Sequence, residues 1–135
     1  MAATSSCPNL LTVRSSTSGI IYSNKNGQYT NGMRCEWSLS GNTNLELVFF
    51  RFNTERNYDF VYVYDGSSSS SPLIGSYNGG SLPSNVKSSS NNVFVEFTTD
   101  GSVIQSGFAA GYHGKGKICK EVSLYTYGMC NIHPW

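Results

Sequence analysis

Four cysteines are the residues of this sequence with the most distinctive chemistry. They are Cys7, Cys35, Cys119 and Cys130. Their even number favours two structural disulfides, which form in an oxidising compartment, and no pair has the CxxC spacing of a zinc knuckle or redox motif. Spacing alone leaves three pairings open, and buried free thiols in a cytosolic protein are the alternative. The cysteines therefore favour a disulfide-bonded protein outside the cytosol.

Other residue types that commonly perform catalysis form no recognisable motif. His113 and His133 are the only histidines, and neither belongs to an HExxH or HxE pattern, which argues against a zinc hydrolase. A GxSxG elbow and a glycine-rich phosphate loop are also absent. The enzyme alternative is a cleft formed by carboxylates such as Glu46 and Glu96, but their alternating strand positions predict exposed strand faces. We expect no catalytic activity.

The composition argues against nucleic-acid binding and against membrane insertion. Nine Lys and Arg and eight Asp and Glu leave a formal net charge of +1, which provides no broad basic surface. No apolar run approaches the roughly 18 residues that span a bilayer. Charged residues make up 13% of the 135, whereas Ser, Asn, Thr, Gly, Tyr and Phe are abundant, a mixture typical of strands and turns.

Short segments of alternating apolar residues recur along the chain, and no segment has a convincing helical period. The predicted strands are 19–22, 34–39, 45–52, 60–64, 72–76, 93–98 and 107–112. Turn residues such as Asp-Gly separate them, and the serine run 67–71 predicts a flexible hairpin tip. Strands 45–52 and 60–64 carry apolar groups on both faces and are the predicted core. This pattern predicts an all-β fold, either a sandwich or a barrel.

The chain changes character after Tyr112. Residues 113–117 have the composition of a solvated connector, and 118–135 form a short segment that holds the last two cysteines. Within this segment, 122–127 fits one more strand or a helical turn or two.

A series of features occurs in a fixed order between Cys7 and Tyr112. They are Cys7, Gly19-Ile20, Cys35-Glu36-Trp37, Phe52, the run 58–66, Gly75, Leu82-Pro83, Ser88, the run 94–97, Asp100 and the run 107–112. This set resembles the CUB domain, an extracellular interaction module of complement proteases, developmental metalloproteases and seminal-plasma adhesins. The resemblance implies a two-sheet antiparallel β-sandwich, a CUB-like jelly roll. It divides the chain into an N-terminal tail at 1–6, the domain at 7–112 and a C-terminal extension at 113–135.

The same resemblance implies that Cys7 bonds to Cys35, which leaves Cys119 to pair with Cys130 in the extension. A further disulfide that is common in the family is missing. The stretches that would carry its two halves read Arg-Asn-Tyr-Asp at 56–59 and Tyr-Asn-Gly at 77–79. Because both cysteines of that bond are missing together, the sequence predicts that this chain has lost the whole disulfide and that the alignment with the family is correct.

The resemblance also implies a calcium site at one end of the sandwich. Glu55, Asp59 and Asp100 occupy the places of the family's carboxylate ligands, and the backbone carbonyls of Ser102 and Val103 would complete the shell. Calcium takes six to eight oxygen ligands, and without it the carboxylates repel and their loops loosen. The alternative is that Asp100 forms a tight turn with Gly101, that Asp59 opens a strand and that Glu55 is a solvated loop residue.

In calcium-binding CUB domains, the ligand carboxylates also pair with a basic side chain of the partner, often a Lys. The resemblance therefore implies a secreted or cell-surface module that binds another extracellular protein. One alternative is a self-assembling structural subunit, in which the lysines at 115, 117 and 120 meet the acidic end of another copy; an ordinary solvated connector is the simpler interpretation of those lysines. A third is a glycan-binding adhesin-like domain, with sugars stacked on tyrosines 58, 62, 64 or 77, although core packing also explains these residues.

Overall fold

Strands and turns make up the described part of the chain, which covers residues 11–14, 18–114, 117–120 and 129–132 of a computed structural model, with side chains over 18–114. The strands are β1 (Leu11–Arg14), β2 (Ser18–Tyr22), β3 (Arg34–Ser40), β4 (Leu45–Asn53), β5 (Phe60–Tyr64), β6 (Leu73–Tyr77), β7 (Val86–Lys87), β8 (Asn92–Thr98), β9 (Gly107–Gly114), β10 (Lys117–Lys120) and β11 (Met129–Ile132). Across these ranges, no helix is long and apolar enough to cross a membrane.

Two sheets form the sandwich. One has the order β1-β3-β8-β5-β6 and the other the order β2-β9-β4-β7. Every pairing in them is antiparallel except β1 with β3, which is parallel. The prediction of an all-β sandwich of two essentially antiparallel sheets is confirmed.

Alternating apolar residues of both sheets meet in one core. Trp37 and Phe97 project inward from the five-stranded sheet, and Phe108 from the other. The Phe108 ring meets Trp37 edge-on at a centroid distance of 5.7 Å and Phe97 at 5.4 Å. Large aromatic groups bury the most apolar area per residue, so these contacts hold the two sheets face to face.

All seven predicted strands are present, with ends that agree within one or two residues. β6 begins at Leu73 and not at Pro72, because proline has no N–H for the ladder; its carbonyl instead accepts a hydrogen bond from the Asp65 N–H at 2.8 Å. The sequence analysis missed β1, β7, β10 and β11. β7 has two residues, too few to show alternation.

The interpretation of 113–117 as a solvated connector is wrong for most of its residues. β9 continues through His113 and Gly114, and β10 begins at Lys117. His113 is buried because its ring has polar partners: Nε2 lies 2.9 Å from a Glu46 carboxylate oxygen, and Nδ1 lies 2.9 Å from the Gly114 carbonyl oxygen. β10 and β11 then form an antiparallel hairpin that lies against β9. The segment 122–127 lies outside the described residues.

Candidate metal site

Three loops at one end of the sandwich bring the predicted acidic ligands together. Glu55 follows β4, Asp59 precedes β5, and Asp100 follows β8. One carboxylate oxygen from each lies within 4.8 Å of the others. β5 and β8 are neighbours in the sheet, with Phe60 opposite Thr98, so the sheet register itself places Asp59 beside the loop of Asp100.

Asp59 is the anchor of this acidic cluster, which consists of Glu55, Asp59 and Asp100. Its side chain is completely buried. Oδ1 accepts a hydrogen bond from the Asp100 N–H at 2.9 Å, and Oδ2 accepts one from the Tyr29 hydroxyl at 2.6 Å. Both oxygens are thus oriented by donors, which is how a protein fixes a ligating carboxylate.

Tyr29 is a residue of the site that the sequence analysis missed. Its buried hydroxyl donates to Asp59 and accepts from the Glu55 N–H at 3.0 Å, and its ring packs edge-on against Phe97. Burial, and then the hydrogen bond to Asp59, raise the pKa of Tyr29 well above its ordinary value, so the hydroxyl keeps its proton. Tyr29 lies in the turn region between β2 and β3, where no alternation marks an inward position, so the sequence carries no signal for it.

The loop 54–59 is fixed at both ends by backbone contacts. The Thr54 hydroxyl donates to the Asp59 carbonyl at 2.9 Å and accepts from the Gly79 N–H at 3.1 Å. The Asp59 N–H donates to the Glu55 carbonyl at 3.0 Å, which closes a tight turn. Arg56 is exposed in the middle of this turn. The turn holds Glu55 and Asp59 on the same side although four residues separate them.

Glu55 carries the clearest sign of an unfilled interaction. Its Oε1 atom is buried and has no hydrogen-bond partner within the described residues. Loss of hydration, and then the negative charge of Asp100, raise the pKa of this carboxyl above its ordinary value. A buried acceptor without a donor is costly, and a cation at this point would satisfy it and remove the repulsion.

The predicted carbonyl ligands lie in the exposed loop after β8. The Ser102 N–H donates to Asp100 Oδ1 at 3.2 Å. Val103 is 52% exposed and has a φ of 61°, a left-handed conformation that is rare for a β-branched residue. Such backbone positions occur at ligand sites, where the surrounding structure holds the strain.

The donor set fits a hard divalent cation. The three carboxylates offer only oxygen, and the described residues nearby supply no sulfur or imidazole ligand. Oxygen ligands in this number suit calcium or magnesium, and loop-borne ligands suit the flexible shell of calcium better than the strict octahedron of magnesium. The residues that are present therefore fit the predicted ion.

The two carboxylates of the enzyme alternative do not converge. Glu46 lies on β4 in the four-stranded sheet, where it pairs with His113, and Glu96 lies on β8 in the other sheet. The expectation that both are exposed is wrong, because each has a partner: Glu96 is only 8% exposed and lies 3.0 Å from Arg34.

The cysteines are described only in part. Cys35 is completely buried and disulfide-bonded, and its predicted partner Cys7 lies outside the described residues. Cys119 and Cys130 stand directly opposite each other in the register of β10 and β11. Cα atoms at opposite antiparallel positions lie about 4.5–5.5 Å apart, a separation that a disulfide can bridge. Both pairings stay predictions.

Comparison with known proteins adds the relatives of this chain. The family model of the CUB domain matches residues 10–112. Exoskeleton protein RP43 of Riftia pachyptila is 38% identical over 116 residues, which cover 82% of this chain and 27% of that protein. Bone morphogenetic protein 1 of Xenopus laevis is 34% identical over 76% of this chain and 15% of its own length. The chain thus spans a small part of these relatives.

Solved structures share the fold. The MASP-1 CUB2 domain bound to Ca²⁺ has a TM-score of 0.66 at 19% identity and covers 76% of this chain and 97% of its own. The extracellular region of zebrafish Gpr126/Adgrg6 has a TM-score of 0.64 at 24% identity, over 75% of this chain and 14% of its own. With the family model covering most of the sandwich and its loops, this chain belongs to the CUB domain family, whose members are protein-interaction modules.

Proposed function

We propose that this chain is an extracellular binding module that recognises another protein in a calcium-dependent way and performs no catalysis itself. The observation that carries the proposal is the buried oxygen of Glu55, which has no hydrogen-bond partner among the described residues and lies inside a cluster of three carboxylates. The MASP-1 neighbour, named as bound to Ca²⁺, supports the choice of ion. The relationship to the extracellular region of Gpr126 and the disulfide at Cys35 support the location.

In this proposal, Glu55, Asp59 and Asp100 hold the ion, and the carbonyls of Ser102 and Val103 complete its shell. The ion neutralises the carboxylates and fixes their loops. Once fixed, the outer carboxylate oxygens of Glu55 and Asp100 are free to accept hydrogen bonds from a Lys ammonium of the partner. Charge-assisted bonds of this kind give specificity for a cationic side chain and a faster encounter.

The ion is tested by thermal unfolding in calcium and in excess EDTA. A ligand that binds only the folded state adds about 2.7 kcal/mol at a hundredfold excess over Kd, so we expect a clear rise in Tm with calcium. Asp100→Ala should abolish the rise, whereas Glu36→Ala, which removes a carboxylate from the outer face of β3, should retain it. An equal Tm in calcium and EDTA for the unmodified chain would remove the metal from the proposal.

Recognition of a cationic side chain is tested with N-acetyl-lysine methylamide as the probe. In calcium, we expect it to shift the amide NMR signals of the loops 54–59 and 99–104, with N-acetyl-glutamine methylamide as the uncharged control. The shifts should disappear in EDTA. If both probes cause the same shifts, the acidic cluster does not select a charge.

A second candidate function is that of a structural subunit that assembles with further copies. The observation in its favour is the 38% identity with a protein named as an exoskeleton component, over 82% of this chain. Size-exclusion chromatography and electron microscopy separate the two functions, because a subunit forms large species and a binding module stays monomeric.

A further inference from the structure

Strand β6 forms an open edge of the five-stranded sheet. Among the described strands it pairs only with β5, so its other side offers unpaired backbone N–H and C=O groups. Leu73 is 53% exposed and Ile74 is 37% exposed on this strand. Proteins usually protect such edges with charged residues or proline, because an open edge readily pairs with another chain.

Charge protection is absent from this edge. No Asp, Glu, Lys or Arg occurs between Asp65 and Lys87, a stretch that contains all of β6. Two other features limit the length of strand that is open to pairing. Pro72 precedes β6, and an irregularity between Val63 and Tyr64 shortens the regular ladder with β5. The edge is therefore short but electrically neutral along its whole length.

The other edges of the described sandwich differ from β6. β7 has only two residues and includes Lys87. β2, at the far edge of the same sheet, has β11 lying close to it. β1, at the opposite edge of the five-stranded sheet, ends with Arg14. Among the edge strands whose side chains are described, β6 is the one that has no charged residue and no second strand beside it.

The surface beside β6 is apolar and aromatic. Phe60, Tyr62 and Tyr64 form a row on the outer face of β5, with ring centroids 5.7 Å and 6.5 Å apart. Tyr64 lies opposite Leu73 in the register of the two strands. A partner strand added to β6 would extend this row with its own apolar side chains.

We propose that β6 pairs antiparallel with β6 of a second copy of this chain. Two copies of β6 can approach each other without charge repulsion, because the strand has no charged side chain. When a strand pairs antiparallel with its own copy, a two-fold axis relates the two strands, and both copies make the same contacts. The pairing centred on Gly75 sets Ile74 opposite Ser76 of the second copy. This inference rests on the second candidate function and names one surface that assembly would use; because a two-fold pair closes at two copies, larger species would need a further contact.

The pairing is weak in a single pair of chains. A five-residue edge buries less area than the roughly 1,200 Å² of a stable interface, so the dimer forms at high protein concentration or where copies are held close together. Because the acidic cluster takes no part in it, the pairing does not depend on calcium.

Sedimentation equilibrium tests the proposal between about 10 μM and about 1 mM protein, in calcium and in EDTA. We expect the mass to rise from 14.7 kDa towards twice that value. Leu73→Lys and Ile74→Lys should each hold the protein at monomer mass. Leu82→Lys is the matched control, because Leu82 is 57% exposed outside any strand, and it should behave as the unmodified chain.

The possible outcomes distinguish the proposed β6 pairing from self-assembly through any other surface. A constant monomer mass for the unmodified chain at about 1 mM overturns both this inference and the second candidate function. Assembly that persists in Leu73→Lys and Ile74→Lys overturns the edge alone. As a test of register, mixed Ile74→Cys and Ser76→Cys proteins should cross-link on oxidation more than either variant alone, and equal cross-linking contradicts the pairing centred on Gly75.

Discussion

The buried Tyr29 hydroxyl holds two residues of the acidic cluster in place. It donates to Asp59 and accepts from the backbone of Glu55, so one oxygen atom fixes two of the three acids. Its aromatic ring is anchored in the core against Phe97. The geometry of the site therefore depends on a residue that does not offer a ligand itself.

Removal of this hydroxyl should weaken the fold and the site together. Tyr29→Phe keeps the ring but leaves a buried Asp59 oxygen and the Glu55 N–H without their partner, which should cost about 1–3 kcal/mol of unfolding free energy. Calcium affinity should fall as well. Urea unfolding in calcium and in EDTA measures both effects, and Tyr62→Phe on the outer face is the control. A variant with unmodified stability and affinity would show that the hydroxyl is dispensable.

The residues of the site differ in how far the sequence reveals them. Asp59 and Asp100 belong to ordered patterns around β5 and β8 and were identified from the resemblance, as was Glu55. Tyr29 was not identified. It lies in a turn region without an alternating pattern, and its partners Asp59 and Glu55 come close to it only in the folded chain. The orphaned oxygen of Glu55 is likewise a property of packing and not of residue type.

The elements were predicted best where alternation is long. β3, β5 and β8 each have five or more residues with buried positions at every second place or better, β4 keeps this alternation from Leu45 to Phe49, and all four were found. β1 was missed because it has only four residues, and its parallel pairing with β3 involves no hairpin turn that would mark it. Glu46 and Glu96 were assigned correctly to strands but wrongly to exposed positions, since strand pattern does not reveal their polar partners, His113 and Arg34.

The connection between β5 and β6 is tied to the β7–β8 loop by one carboxylate. Asp65 accepts hydrogen bonds from the Ser89 N–H at 3.1 Å, from the Ser89 hydroxyl at 2.5 Å and from the Ser90 hydroxyl at 3.0 Å. The Ser89 hydroxyl bond is the main cause that lowers the pKa of Asp65 below its ordinary value. The contact thus favours the ionised form.

This contact should add a small acid-dependent contribution to stability. Because folding lowers the pKa of Asp65, the contribution is present above the unfolded pKa of about 3.9 and is lost as the pH falls through the folded value. Asp65→Asn should lower the unfolding free energy by about 1 kcal/mol at neutral pH, since the group is partly solvated, and by less at about pH 3. Urea unfolding at both pH values measures the difference. Ser89→Ala should show the same trend and should not add fully to it; full additivity would contradict a direct bond.

At the scale of the whole molecule, the sandwich separates its two proposed binding surfaces. The acidic cluster lies at the end where β5 begins, in loops that connect the two sheets. The β6 edge runs along the side of one sheet. A copy of the chain can therefore bind a partner at its end while a neighbour pairs with its side, and loss of one interaction leaves the other intact.

The exposed turn at Arg56 would link the proposed calcium ion to the lifetime of the protein. Arg56 is the only Lys or Arg between Arg51 and Lys87, and it lies between two proposed ligands. A protease that cleaves after basic residues needs this turn to open, and an ion held by Glu55 and Asp59 keeps it closed. Digestion with trypsin should cut after Arg56 rapidly in EDTA and slowly in calcium, and Asp100→Ala should be cut rapidly in both; identical rates for the unmodified chain would exclude the link. Calcium outside the cell would then decide how long each molecule survives among extracellular proteases.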